Sequence, residues 1–129
     1  MIGKVIYNLL STDATLTALV PATKIFPYVL NENTDLPAIV YGISEVSPEY
    51  TKDGWALDGI DFTVVSISPS YSDLQDIAMA VRRAIEMEVG TVGATTIQHI
   101  HMTGMSETFL QDVNVFTNEM SFNVNVINY

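Results

Sequence analysis

His99-Ile100-His101 holds the only two histidines in this 129-residue chain, and no other stretch comes closer to a reactive pair. On a β-strand, residues two apart share a face, so a strand here sets two imidazoles side by side. Such a pair can begin a metal site, but a third ligand must come from elsewhere. Glu107 and Asp112 follow in the sequence, yet no spacing singles out either one. Without a third ligand, the pair reads as two polar positions on the solvated side of a strand.

Other chemistry has less support. Acid–base catalysis needs a carboxylate or imidazole with a shifted pKa in a cleft. The chain has 15 acidic residues but no H-E-x-x-H, no G-x-S-x-G and no paired carboxylates in a recognisable setting. No G-x-G-x-x-G or P-loop is present, and Gly90-Thr91-Val92-Gly93 is too short to cradle phosphate. A serine could be joined on paper to either histidine, but nothing nominates one. Cysteine is absent, which excludes disulfides, thiolate chemistry and cysteine-ligated zinc. The expectation is a protein that is not an enzyme, with no cofactor, no catalytic residue and no metal. A small metal-binding or enzymatic domain using His99 and His101 is the alternative.

Charge narrows the partners. Fifteen acids against 5 bases give a net charge of −10, and Arg82-Arg83 is the only adjacent basic pair. Nucleic-acid binding through phosphates needs clustered cations, so stable nucleic-acid binding is not expected, nor is binding to an anionic membrane. No apolar run approaches the roughly 20 residues of a membrane span, and the N-terminus lacks the cleavage pattern of a signal peptide. The chain therefore reads as soluble and cytoplasmic where it is made. Hydrophobic residues make up 48% of it and charged residues only 16%, so it can build a core and has a surface short of charge. Such a surface suits a partner interface. The methionines at 79, 87, 102, 105 and 120 read as core filler rather than as an adaptable binding surface.

The elements that would position these residues centre on one amphipathic helix, about 70–87. Leu74, Ile77, Ala78, Val81, Ala84 and Ile85 recur at helical spacing. Ser70 and Ser72 can each cap its first turn, Asp73 and Asp76 suit its positive end, and Arg82 and Arg83 suit its negative end. A first short helix fits residues 2–10, with a second from Asp13 that Pro21 stops. Residues 24–30 read as an edge strand or irregular piece because of Pro27. Strands then fit 38–46, 60–67 and 95–105, with a connection at 106–112. A closing strand lies within 113–127, where Met120, Phe122, Val124 and Val126 alternate with Ser121, Asn123 and Asn125. Ser47 to Gly59 reads as a loop with two Asp-Gly turn signals, Tyr50 and the only tryptophan, Trp55. These aromatic residues either fold back onto the domain or anchor another subunit. The sum is one α+β domain over 1–129, a mainly antiparallel sheet packed by one main helix plus short N-terminal helices.

The order of these segments resembles the tail-completion (tail-terminator, or head–tail joining) proteins of long-tailed bacteriophages and prophages. The likeness lies in LLSTDATLTALV followed by KIFPYV and in Leu36-Pro37-Ala38-Ile39-Val40-Tyr41, similar to the family's LP-x-I-V-Y strand. It continues in Ile43-Ser44 with Pro48 soon after, in SYSDLQDIAMAVRRAI, and in the alternating last strand. It covers most of residues 5–127; Thr91–Asp112 matches little of the family pattern. The resemblance implies a non-enzymatic virion protein that assembles with itself into a ring, commonly a hexamer. That ring would end the tail tube and join tail to head, with the tube protein and the head connector as partners and DNA passing through its lumen. It would be made in the host cytoplasm and reside in the virion tail. Another phage connector or a tube-related protein is the alternative. Tyr50, Asp53, Gly54 and Trp55 would then contribute to ring or tail contacts.

Overall fold

The computed structural model describes residues 2–30, 35–50, 56–86, 90–92 and 95–128. It is α+β. Helices α1 (Ile2–Ser11) and α2 (Ala14–Leu19) come first, then a 3-10 turn at Ala22–Lys24 and strands β1 (Ile25–Pro27), β2 (Ala38–Tyr50) and β3 (Ala56–Ser68). Helix α3 (Tyr71–Ile85) follows, then β4 (Gly90–Val92), β5 (Thr95–Ile97), β6 (His101–Leu110) and β7 (Val115–Asn128).

Helix α3 forms because its apolar residues share one side. Leu74, Ile77, Ala78, Ala80, Val81, Ala84 and Ile85 are all buried. Ser70 caps it: its hydroxyl accepts from the Asp73 amide, and Arg82 and Arg83 lie in the last turn. Asp13 caps α2 in the same way, accepting from the Leu16 amide at 2.9 Å. Both caps satisfy amides that the first turn cannot pair internally.

The sheet runs β1-β2-β3-β7-β5-β4, and β6 also pairs with β7. Every pairing is antiparallel except β1 with β2. Strands β5 and β6 share one side of β7, β5 opposite Val126 and Ile127 and β6 opposite Val115 to Asn123. The helices cover one face of this sheet. Ile60, Phe62 and Val64 of β3 and Met120, Phe122, Val124 and Val126 of β7 point into that core with Ile2, Val5, Ile6, Leu16 and Ile77. Phe62 and Phe122 stack directly opposite each other, ring centres 5.3 Å apart.

Three expectations change. Residues 47–59 are not one loop: Ser47–Tyr50 continue β2 and Ala56–Gly59 begin β3, in register from Ser47↔Gly59 to Tyr50↔Ala56. Residues 95–105 are two strands separated at 98–100, where Ile100 turns fully inward. Residues 106–110, expected as a connection, belong to β6. The turn from β6 to β7 is reduced to four residues, with Asn114 in the left-handed conformation (φ 52°) that asparagine tolerates.

Candidate interaction surface

The pair β2–β3 runs past the core as an arm. In β2, Ala38 and Ile39 are buried, but every residue from Ser44 to Tyr50 is exposed. A bulge at Ser44 separates the pairs Ile43↔Phe62 and Glu45↔Asp61. Cross-strand neighbours share a face, so Val46, opposite buried Ile60, lies on the helix-covered side. By alternation Pro48 and Tyr50 follow it there. Glu45, Ser47 and Glu49 lie on the open side. Tyr50 is 79% exposed at the end of the strand. Asp53, Gly54 and Trp55, expected beside it, lie outside the described residues. Strand β1 pairs only with Ile39–Tyr41, so the outer edge of β2 beyond Ile43 has no strand partner among the described residues.

The opposite flank is also open. Among the described residues, strand β6 pairs only with β7, and all its residues but Met102 are exposed. Helix α3 runs alongside. Glu107 ties the two together: its Oε1 accepts from the Tyr71 hydroxyl at 3.3 Å and its Oε2 from Gln75 Nε2 at 2.6 Å. Phe116 fills the base, with ring centres 4.7 Å from Phe109 and 5.3 Å from Tyr71. Between α3 and β6 lies a hollow of about 80 Å³ lined by Gln75, Ala78, Met79, Arg82, Met105, Asn118 and Met120. Asn118 is 1% exposed, and its Oδ1 has no hydrogen-bond partner among the described residues. A buried amide oxygen left unpaired costs ~1–3 kcal/mol. Met79 and Met105 rim the hollow and are half exposed. Of the described methionines, then, only Met120 is core and Met102 packs partly against it, which corrects the core-filler reading.

The two histidines do not form the expected pair on one strand. His99 lies in the break before β6 and His101 opens β6, ring centres 6.4 Å apart and both exposed. Among the described residues no group of three or more potential ligands gathers around them or elsewhere. Glu107, a possible third ligand, is engaged with α3 instead. Asp112 sits in the β6–β7 turn.

A larger groove, about 410 Å³, opens between α1 and β2, lined by Gly3, Lys4, Tyr7, Pro27, Tyr28, Tyr41, Gly42 and Ile43. Tyr28 holds a left-handed backbone (φ 61°), donates its amide to the Tyr41 carbonyl at 2.7 Å, and accepts from the Ile43 amide at its hydroxyl. One edge of its ring lies against Gly42, where a Cβ would come within 2.9 Å of it. Burial, and then the neighbouring Tyr7, push the Tyr41 phenol above its usual pKa, so Tyr41 stays a neutral donor. Sequence reasoning did not mark this groove, because its tyrosines are scattered over three elements.

Compared with known proteins, residues 4–127 match the family model described as tail completion protein gp17. The chain belongs to that family. A chain in the solved structure titled "Virion of native gene transfer agent (GTA) particle" has the same fold, with a TM-score of 0.81 at 18% identity over 95% of this chain and 92% of that one. No curated protein matches. This tail completion protein is thus a phage tail structural protein.

In this tail completion protein, charge divides by layer. The four described cations, Lys4, Lys24, Arg82 and Arg83, all sit on helical elements. The described strands carry none. The open face of the sheet presents Glu45, Glu49, Asp61 and Glu119, with Asn123 Nδ2 donating to Asp61 Oδ1 at 2.9 Å. No described helix is long and apolar enough to cross a membrane.

Proposed function

We propose that this tail completion protein is the subunit of a homo-oligomeric ring, commonly a hexamer in such assemblies, that ends the tail tube and joins it to the head. It acts as one domain and carries out no reaction; its work is docking to itself, to the tube protein and to the head connector. The observation that carries this reading is the pair of open strand edges on opposite flanks of one sheet. Two different surfaces joined head to tail make a heterologous contact, and such contacts close into rings when the rotation permits. The acidic open face, without Lys or Arg among the described residues, suits a lumen, because like charge keeps DNA moving past it. Tyr50, at the end of the arm, and with it Asp53, Gly54 and Trp55, contribute to ring or tail contacts.

The test is to mix purified protein with tail tubes of its own phage or prophage and to image the ends by negative-stain electron microscopy. Rings capping tubes of fixed length are expected. Bare ends at saturating protein would remove the terminator role and favour a connector role in the head.

A further inference from the structure

The ring reading leaves open how neighbouring subunits meet, and the inference here rests on that reading. We infer that the β2 arm of one copy, Ser44 to Tyr50, adds as an extra strand to the outer edge of β6 in the next copy. Its helix-side residues then fill the groove between β6 and α3.

Direction supports this pairing. Strands β2 and β7 both run antiparallel to β3, so they point the same way, and β6 runs against β7. Copies related by rotation about a ring axis keep the direction of any strand that runs mainly along that axis. The arm of one therefore meets β6 of the next antiparallel, the more stable arrangement per residue.

Facing supports it as well. On the arm, Val46, Pro48 and Tyr50 lie on the helix-covered side. On β6, Met102, Met105 and Phe109 do, being opposite Phe122, Met120 and Phe116 of β7. Setting Val46 opposite Met105 places apolar side chains together beneath Met79. It also covers the hollow onto which the unpaired Asn118 Oδ1 opens. The bulge at Thr103 in β6 keeps the alternation in step, so the same register sets Glu49 opposite His101 on the open side.

Charge adds to the fit on the acidic side. The described arm holds Glu45, Glu49, Asp58 and Asp61 and no cation. The receiving edge begins at His101, and Arg82, which pairs with Glu86, lines the hollow beside it; the one acid of β6, Glu107, is held by Tyr71 and Gln75 of α3. Opposite patches steer association and fix register.

The two open edges are diagonal. Val46 aligns through Ile60 with Val124, and Met105 aligns with Met120, four residues away on β7. At ~3.3 Å per residue, each contact carries a stagger of ~13 Å. A closed ring absorbs such a stagger by tilting its strands to the axis, as closed barrels do.

The chain has no cysteine, so engineered thiols report only the contact they probe. Val46→Cys and Met105→Cys, combined in one chain and oxidised on capped tubes, should give a ladder of multimers on a non-reducing gel. Each single variant should stay monomeric. Replacing the second position by Phe109→Cys should cut the ladder at least tenfold. Independently, Met105→Glu should abolish rings while leaving the circular dichroism spectrum unchanged. Rings that form without a ladder and tolerate Met105→Glu would overturn this docking while leaving the ring intact. A dimer band alone would mean a two-fold contact and overturn it. Transfer of the cross-link from Met105→Cys to the tube protein would assign the groove to the tube instead. Absence of rings from the unmodified protein would remove both readings.

Discussion

The centre of the sheet and its two flanks follow different rules. In β3 and β7, alternate side chains from Ile60 to Val64 and from Met120 to Val126 are buried against α1 and α3, and the two strands pair over their whole lengths. In β6 and the end of β2, each strand carries one bulge and almost every side chain is exposed. The central strands spend their apolar residues on folding. The flanks keep Val46, Tyr50, Met105 and Phe109 at the surface and leave edges unpaired, a hazard that proteins usually manage by covering or charging the edge. Within a virion protein, such edges read as surface held in reserve for assembly.

The sharpest way to break this contrast is at its buried end. Phe62→Ala removes a fully buried ring stacked on Phe122 and leaves a cavity between sheet and helices. It should cost ~3–5 kcal/mol, read as a lowered urea midpoint with unchanged slope. A loss below about 1 kcal/mol would mean that the core is looser than its burial implies.

The same contrast explains what was legible in the sequence. Helix α3 was, because its cap, its charges and its apolar spacing agree. Strand β7 was, because burial on one face imposes strict alternation. The flanks were harder because they bury little. Pro48 and Asp58-Gly59 look like turn signals, but an edge strand accepts proline where no ladder partner needs its amide. Ile97 and Ile100 are both buried three residues apart, a spacing that breaks a strand's period of two and marks the break before β6. The bulge at Thr103 then shifts the pattern again. Of the candidate site, Tyr50 was singled out with its exposure left open; the α3–β6 groove was not, since its rim, Met79 and Met105, comes from residues 26 positions apart that only the sheet order brings together.

A middle effect is expected where the two regimes touch. Asn118 is buried like the core but borders the groove. Asn118→Leu removes the unpaired amide oxygen at similar volume and should stabilise the isolated subunit by ~1 kcal/mol. A drop in the urea midpoint would show that the amide already has a partner in the free protein. Tyr50→Ser, at the far end of the arm, should change subunit stability by no more than ~0.5 kcal/mol, as exposed substitutions do, and should weaken ring formation. A large loss of stability would place Tyr50 in the folding core and remove it from the interface.

The smallest effect belongs to the ion pair of Arg82 with Glu86 at the C-terminal end of α3, which joins successive turns near the receiving groove. The guanidinium hydrogen bond holds the Glu86 carboxyl below its ordinary 4.5 and raises Arg82. A carboxyl with a depressed folded pKa contributes stability that is present above its unfolded value and lost as pH falls through the folded one. Glu86→Gln should therefore leave the urea midpoint at pH 7 unchanged within error, because both groups are solvated and the pair is screened. It should flatten only the acid limb below about pH 5. Ring assembly gives the more telling readout. If Arg82 and Arg83 steer an acidic arm, freeing Arg82 from Glu86 raises the positive charge beside the groove and speeds association at low salt, an advantage that disappears as salt is added. An assembly rate that ignores both Glu86→Gln and salt would mean that apolar fit alone, through Val46 and Met105, sets the contact.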